Sequence, residues 1–170
     1  CAVDLGAAAF YCAGTEFGMR QGAKNFDEQT LAKGIEYAHA RGARVHITVN
    51  TLMHPEEMTR LPDFIAAARD AGADAFIVTD LGAMKTVRTV APDTEIHASV
   101  QMGGVNAETA CVLHELGAKR IVVARELTLD EISQIRAKTP SSLELEGFAH
   151  GAVCMSYSGR CLLSMYMTGR

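Results

Sequence analysis

One short pattern recurs along the chain and constrains its fold more than any other feature. Gly-Ala is followed by a charged residue, a run of β-branched and apolar residues, and a polar residue, in RGARVHITVN (41–50), AGADAFIVTD (71–80) and LGAKRIVVAR (116–125). A looser copy, DLGAAAFYCAG, occupies 4–14. Glycine with positive φ often ends a helix, and a short apolar run is typical of a strand buried on both faces. The pattern therefore predicts a helix end followed by a buried strand, several times over.

Helical patterns occupy the stretches between these strands. Asn106 and Thr128 are typical N-cap residues, and Glu131 completes a capping box with Thr128. Two further strands, 94–101 and 142–151, are predicted without the Gly-Ala start. Helices are predicted over 27–40, 55–71 (with Pro62 breaking or kinking its start), 106–116 and from Thr128 onward.

The fold class follows from this alternation of about six strands with five helices. It indicates βαβ units and a parallel sheet. Regular spacing without a Rossmann fingerprint favours a (β/α) TIM-type barrel over a doubly wound sheet. A full barrel has eight strands and about 250 residues. We therefore predict one partial barrel domain over 1–170, either closed by another element or an internal piece of a longer chain.

Composition limits the class of protein. Apolar residues make up 48% of the chain, charged residues 21%, and the net charge is -4, as expected of a globular protein without a dominant nucleic-acid footprint. A local basic patch would still permit a nucleic-acid partner. No apolar run reaches membrane-spanning length and no signal peptide is visible, so we expect a cytoplasmic protein. Since the first residue is Cys1, a fragment is favoured over a lipidated N-terminus.

Polar residues recur where the predicted strands end, which is where barrel enzymes build their sites. Any one of them is explained by a strand emerging into solvent, but the whole set favours a site. His46 and His97 lie inside strands and are expected to be satisfied there, whereas His39, His54 and His114 are expected at the surface. The strand-end set is Glu16, Arg20, Asn50, Asp80, His97, Gln101, Arg125, Glu126, Glu146 and His150.

Two cysteines near the end of the sequence, Cys154 and Cys161, form a C-x6-C pair that is a weak signal by itself. Chance, a disulfide and half of a metal site all remain open; Cys12 is a third available thiol, and Cys111 is assigned to packing. An odd count of five cysteines favours reduced thiols or a metal site, and thiolates favour zinc or an iron–sulfur cluster. A Cys154–His150 dyad is a weaker alternative. No H-E-x-x-H or G-x-S-x-G motif occurs.

The segment EGFAHGAVC (146–154) followed by SGRCLLS (158–164) closely resembles the signature of the collagenase-like proteases, peptidase family U-32. The blocks 14–26, 49–57, 96–101 and 122–132 are similar to matching blocks of that family's N-terminal barrel. The resemblance implies an internal fragment of a longer chain, without the family's first strand and C-terminal part.

The resemblance also implies a choice of functions. The family is named for protease activity, but several bacterial members are implicated in oxygen-independent hydroxylation of tRNA uridine, of a cytidine in 23S rRNA, or of a ubiquinone precursor, with prephenate as a possible hydroxyl donor. Such members bind a 4Fe-4S cluster through four cysteines, of which Cys154 and Cys161 match two. The blocks SYSGRCLLS and ARELTLDEI resemble the tRNA branch most.

On this basis we expect an iron–sulfur tRNA hydroxylation protein. His150 and Glu146 are the expected catalytic residues, handling protons beside the cluster, and Arg125 and Arg20 are expected to neutralise a dianionic donor. The remaining strand-end residues are expected to bind substrate. The alternatives are a peptidase acting on peptides, ubiquinone-precursor or rRNA hydroxylation, and a non-catalytic partner subunit. No membrane partner is expected.

Overall fold

The computed structural model describes residues 2–19, 25–151, 156–158 and 166. Within these ranges no helix is both long and apolar enough to cross a lipid bilayer. Strands and helices alternate along the described chain: β1 Ala9–Ala13, α1 Glu28–His39, β2 Arg44–Val49, α2 Pro55–Asp70, β3 Ala75–Val78, α3 Leu81–Val90, β4 Glu95–Ala98, α4 Ala107–Glu115, β5 Arg120–Val122, α5 Leu129–Lys138 and β6 Glu144–Glu146.

The Gly-Ala repeat has a specific structural meaning. Gly42, Gly72 and Gly117 have φ values of 74°, 96° and 108°. This is the left-handed region, which glycine adopts without strain because it has no Cβ. The alanine after each glycine donates its backbone N–H to a carbonyl five residues earlier, as Ala43 does to Ala38 at 3.0 Å. Ala73 and Ala118 repeat this bond to Ala68 and Leu113. This is the Schellman motif, and it turns the chain from each helix into the next strand.

Helix starts are encoded just as locally. Asp27, Asp80 and Asn106 each accept the backbone N–H three residues on, at 2.7–2.9 Å. Thr128 and Glu131 form the predicted capping box, with the Glu131 carboxylate accepting the Thr128 backbone N–H at 2.8 Å. These contacts satisfy backbone donors that have no partner within the helix.

The chain divides into two compact units, residues 1–95 and 96–170. In the first unit β1, β2 and β3 run parallel in that order, with Ala9 opposite Arg44 and His46 opposite Ala75. Strand β2 is buried on both faces from Val45 onward, as predicted.

The core of the first unit lies between this sheet and the helices. Ile47 of β2, Ile35 of α1 and Ile65 of α2 are at most 1% exposed. Burial of each such side chain is worth about 1.5–3 kcal/mol. These contacts hold the strands whose ends carry the predicted site residues.

In the second unit β4, β5 and β6 run parallel, with His97 opposite Arg120 and Arg120 opposite Glu144. Ile96, Ile121 and Leu143 form its core and are almost fully buried. Because residues paired across parallel strands share a face, His97, Arg120 and Glu144 lie on one side of this sheet.

Several predicted boundaries were too long. The chain before β1 begins with a 3-10 turn, Val3–Leu5, and β4 is followed by another, Val100–Met102, in which Ser99 Oγ accepts the Gln101 N–H at 3.3 Å. Gln101 thus lies in a turn, not at the end of a strand. Strand β6 ends at Glu146, so His150 is an exposed residue in the following loop and not the strand end predicted. Pro62 was predicted to break or kink α2; the break was wrong, since α2 continues through it, and the kink stays a prediction.

Candidate functional site

One polar network among the described residues of the second unit begins just after β5. Glu126 accepts two hydrogen bonds from Ser158, one from the backbone N–H to Oε1 at 2.6 Å and one from Oγ to Oε2 at 3.0 Å. Its neighbour Arg125 donates from Nη2 to the carbonyl of Ser156 at 3.0 Å and from Nε to Ser158 Oγ at 3.4 Å. Adjacent residues of opposite charge therefore hold one short segment of backbone.

The network is shielded from water at Ser158. Ser158 is 1% exposed, so its backbone N–H has little access to water. Burial opposes ionisation of the Glu126 carboxyl, but the hydrogen bonds from Ser158 outweigh it and leave the pKa of that carboxyl below its usual value. Glu126 is therefore a carboxylate at neutral pH, and an ionised acceptor makes the stronger hydrogen bond.

A second network joins β5 to β6. Arg120 donates from Nη2 and Nε to Glu144 Oε2, at 2.6 and 2.8 Å, and from Nη1 to Glu146 Oε2 at 3.0 Å. The hydrogen bond from Arg120 lowers the pKa of the Glu144 carboxyl. Burial works against the Arg120 charge, yet its bonds to the two glutamates raise the pKa of the guanidinium. Glu146, a predicted catalytic residue, is thus already engaged by an arginine.

An open groove of about 500 Å³ lies along these residues. Arg136 also lines it, but its guanidinium donates to the carbonyls of Leu143, Thr139 and Pro140. The groove is lined by Arg120, Arg136, Ser141, Leu143, Glu144, Leu145 and Glu146. Since the arginines that line this groove already donate to carboxylates or carbonyls, they are less available to bind a dianion.

The predicted site residues of the first unit are held by local contacts. Asn50 Oδ1 accepts the Met19 N–H at 3.0 Å, and the Asn50 N–H donates to the Phe17 carbonyl at 3.0 Å. Glu16 pairs with Arg60 of α2 at 2.6 Å, and Asp80 caps α3 through the Ala83 N–H. These contacts join the loop after β1 to the loop after β2.

Two other predicted residues differ in their exposure to solvent. His97 is fully buried on β4, and His150 is exposed. Arg20 and the predicted metal ligands Cys154 and Cys161 lie outside the described residues.

The described residues contain no group of three or more side chains placed to hold a metal ion. Of the described thiols, Cys12 is a poor ligand, since burial raises its pKa to about 11. Cys111 lies 3.9 Å from the Lys138 carbonyl. The ligand role predicted for Cys154 and Cys161, two thiols of the kind that iron–sulfur clusters use, stays a prediction.

Sequence reasoning missed Arg120, Glu144 and Ser158. The first two carry a usable signal, because basic residues stand at the start of KRIVV, acidic residues alternate with apolar ones in LELE, and the two segments are successive strands. Ser158 gave none, since its partner stands 32 residues away in the sequence.

Comparison with known proteins gives a consistent picture. The family model for peptidase family U32 matches residues 1–170. The chain is 42% identical over 172 residues to an uncharacterized protease, MJ0090, of Methanocaldococcus jannaschii, covering 99% of the chain and 42% of the relative. It is 40% identical to tRNA hydroxylation protein P1 of Bacillus subtilis (99% and 40%), and 38% identical to the 23S rRNA 5-hydroxycytidine C2501 synthase of Escherichia coli (99% and 25%).

Among solved structures, the U32 peptidase Mk0906 superposes with a TM-score of 0.69 at 21% identity, covering 85% of this chain and 63% of that one. The likeness confirms the predicted fold class, α/β of the (β/α) TIM-barrel type. The chain spans about two fifths of the length of the first curated relatives it matches.

Proposed function

The chain belongs to peptidase family U32, and on that premise we propose that it forms part of an iron–sulfur protein that hydroxylates a tRNA uridine without using O2. The observation that carries the proposal is its 38–40% identity, over 99% of its length, to several proteins named for tRNA hydroxylation. Such a protein acts on RNA in the cytoplasm, and the proposal places this chain there.

Cys154 and Cys161 would supply two of the thiolate ligands of a 4Fe-4S cluster, and the other ligands would come from outside this chain. When bound, the cluster supplies redox or Lewis-acid chemistry. Glu146, an ionisable group at the end of β6, would hold or accept a proton at a carboxylate oxygen, with Arg120 orienting it. His150 is exposed in the next loop and would exchange protons with solvent or substrate.

A dianionic hydroxyl donor would need cationic side chains to bind its carboxylates. Arg125 donates to Ser156 and Ser158, which supports a role in holding the chain more than one in binding a dianion such as prephenate. Carboxylate recognition would then rest on Arg20 or on residues outside this chain.

Peptidase activity is the alternative suggested by the family's name. One contact in the described residues favours it: His114 Nε2 lies 3.0 Å from Ser142 Oγ, and its Nδ1 lies 2.7 Å from the Ala118 carbonyl. A serine beside an oriented histidine resembles a nucleophile and its base. However, Ser142 precedes β6 and Ala118 precedes β5, so the pair lies at the amino ends of the strands, away from the carboxyl ends where barrel enzymes act.

The test compares strains that lack the full-length gene carrying this chain with strains complemented by wild type, Cys154→Ser or Ser142→Ala. Mass spectrometry of tRNA nucleosides should show loss of 5-hydroxyuridine-type modification in the deletion and in Cys154→Ser, and its return with wild type and Ser142→Ala. Anaerobically purified wild type should contain iron and sulfide.

The alternatives give different results. Loss of 5-hydroxycytidine from 23S rRNA with unchanged tRNA would indicate rRNA hydroxylation. Loss of ubiquinone would indicate hydroxylation of a ubiquinone precursor. The peptidase would be established instead if gelatin cleavage disappeared in Ser142→Ala while the deletion left 5-hydroxyuridine in tRNA, 5-hydroxycytidine in rRNA and ubiquinone unchanged. Modification that needs the gene but tolerates Cys154→Ser would indicate a non-catalytic subunit.

A further inference from the structure

Histidines occupy the same place in two copies of the Gly-Ala repeat. His39 and His114 each stand three residues before the glycine of their own copy. The Nε2 atom of His39 lies 2.8 Å from Asp74 Oδ2, just before β3. The Nε2 atom of His114 lies 3.0 Å from Ser142 Oγ, just before β6. The first partner is a carboxylate, which accepts hydrogen bonds, whereas the second is a hydroxyl, which can donate one.

The second ring nitrogen of His114 determines the direction of its hydrogen bond with Ser142. Nδ1 lies 2.7 Å from the carbonyl oxygen of Ala118, which can only accept, so Nδ1 carries the ring proton. In the neutral imidazole Nε2 then has a lone pair, and the Ser142 hydroxyl donates to it. Serine nucleophiles are activated by this arrangement, in which a hydroxyl donates to a histidine whose other nitrogen is held by a third group.

The histidine is held by the end of its helix. His114 lies in the last turn of α4, and Ala118, whose carbonyl accepts from the ring, is 1% exposed. The backbone N–H of Ala118 donates to the Leu113 carbonyl at 2.9 Å in the Schellman turn. The imidazole is therefore fixed to backbone that is itself buried and hydrogen-bonded.

The serine is held by the turn that precedes β6. Lys119 Nζ donates to the Ser142 carbonyl at 3.0 Å, and the next residue, Leu143, is fully buried. The Leu143 N–H donates to the Pro140 carbonyl at 3.1 Å, and Arg136 donates to that same carbonyl. Ser142 itself is exposed, so a small molecule in solution can reach a hydroxyl whose position relative to its base is set in advance.

We propose that Ser142 is a nucleophile towards small esters with good leaving groups, and that His114 is its general base. Ser142 Oγ attacks the carbonyl carbon of the ester while its proton passes to His114 Nε2. The bond from that carbon to the alcohol oxygen breaks, the alcohol takes the proton from Nε2, and the acyl group stays on Ser142. Water then attacks the acylated serine with the same proton transfers, which releases the acid and restores the hydroxyl.

The exposure of Ser142 favours this class of substrate over peptides. At an exposed residue little binding energy is available to lower the barrier, so the acyl donor must supply the reactivity itself. An ester of a good leaving group does so, because its alcohol leaves as a much weaker base than the amine of a peptide. The pair lies at the amino ends of β5 and β6, so the inference depends neither on a cluster nor on RNA at the carboxyl ends.

The test uses the full-length protein carrying this chain, with Ser142→Ala, Ser141→Ala and His114→Gln. An alkyl fluorophosphonate is the covalent probe: serine oxygen bonds to its phosphorus and fluoride leaves. Peptide mass spectrometry locates the label and measures its rate at each serine, and para-nitrophenyl acetate serves as the ester. Ser141→Ala is the matched control, because Ser141 is also exposed and is adjacent in the chain.

We expect Ser142 to be labelled at the same rate in wild type and Ser141→Ala, and the label to be lost in Ser142→Ala. His114→Gln should slow labelling of Ser142 by about a hundredfold, a typical contribution of a general base. Labelling of wild type should also slow on acidification, because a protonated imidazole has no lone pair to accept the serine proton. His114→Gln should lack that pH dependence, and release of para-nitrophenol should rank the four proteins in the same order.

Three results would overturn the proposal. Wild type that takes up no label, or that is labelled at Ser141 as fast as at Ser142, has no activated serine here. Folded His114→Gln that is labelled at the wild-type rate shows that the histidine only holds the turn. If His114→Gln does not fold, wild type decides alone, and a labelling rate that stays constant on acidification of the folded protein refutes the role of the base.

Discussion

The rings of Phe17 and Phe64 lie 5.2 Å apart, centroid to centroid, with their planes inclined by 51°. Phe17 is buried in the loop after β1 with a φ of 62°, unusual for a residue with a Cβ, and Phe64 belongs to α2. The carbonyl of Phe17 accepts the Asn50 N–H at 3.0 Å. The aromatic pair therefore holds the loop after β1 in the conformation that engages Asn50.

Gly14→Ala should disturb this arrangement. A Cβ on Gly14 would lie 2.5 Å from Phe64 Cε2, and the Phe64 ring is constrained by Phe17. We expect the free energy of unfolding to fall by about 1–3 kcal/mol, as for other overpacked cores, measured by urea unfolding.

Gly34→Ala is the control for that substitution. Its Cβ would lie 3.5 Å from Phe26, an ordinary contact, within α1 where alanine is favoured. The free energy of unfolding should rise by up to about 1 kcal/mol. Equal effects of the two alanines would contradict the packing argument.

Arg120→Ala should lower the free energy of unfolding by about 1 kcal/mol, because both of its glutamate partners are more than 40% exposed and their ion pairs are screened by water. Arg120→Lys keeps the charge but loses the several guanidinium nitrogens that donate to the two glutamates. Its free energy of unfolding should lie between those of Arg120→Ala and wild type. A double-mutant cycle with Glu144→Gln measures the coupling, which should vanish if the two side chains do not interact.

The same pair predicts a pH dependence. The hydrogen bond from Arg120 lowers the folded-state pKa of Glu144 below its unfolded value, so this stabilisation is present above about pH 4.5 and is lost as pH falls through the folded pKa. The fall in melting temperature on acidification below that pH should be smaller in Arg120→Ala than in wild type. If melting temperature falls with pH equally in the two proteins, Arg120 does not stabilise the ionised Glu144.

Cys12 should be unreactive in the folded protein. Burial raises its pKa to about 11, so its thiolate fraction near neutral pH is roughly a hundredfold below that of an ordinary cysteine. Alkylation followed by peptide mass spectrometry should label Cys12 at least that much faster in denaturing urea. Because the folded pKa is raised, stability should also decline as pH rises from about 9 towards 11. Cys12→Ala should remove that decline, and fast labelling of the folded protein would refute the argument.

Asp80→Ala should lower the free energy of unfolding by about 1 kcal/mol through loss of the α3 cap, and Asp80→Asn should restore most of it, because asparagine caps as well as aspartate. Thermal and urea unfolding check both. If Asn proves as costly as Ala, the carboxylate charge matters beyond the cap. An Asn variant that is stable but inactive in the full-length protein would support the sequence-based prediction that Asp80 binds substrate.

The features that could be predicted from the sequence are those written within a few residues. The Schellman turns at Gly42, Gly72 and Gly117 and the caps at Asn106 and Thr128 belong to this class, and the structure confirms them. Family signature residues and the fold class also followed from the sequence.

What escaped prediction depends on partners distant in the sequence. Strand β6 stops at Glu146 because its neighbour β5 pairs with it only as far as Val122, and Ala124 already turns to Gly104. The sequence EGFAHG carries no sign of that limit, so His150 was expected at a strand end. The hydrogen bonds that Ser158 donates to Glu126 are likewise not predictable from periodicity. The predicted roles of Glu146, His150 and the other site residues stay predictions.

The register of the strands has a consequence for synthesis of the protein. Arg44 pairs with Ala9, Arg120 with His97, and Glu144 with Arg120. In each case the two paired strands follow one another in the sequence, with one helix between them. Short closures cost little chain entropy and favour rapid folding. Within each unit, a nascent polypeptide can therefore add a strand to the preceding one soon after that strand leaves the ribosomal tunnel, without waiting for the residues still being translated.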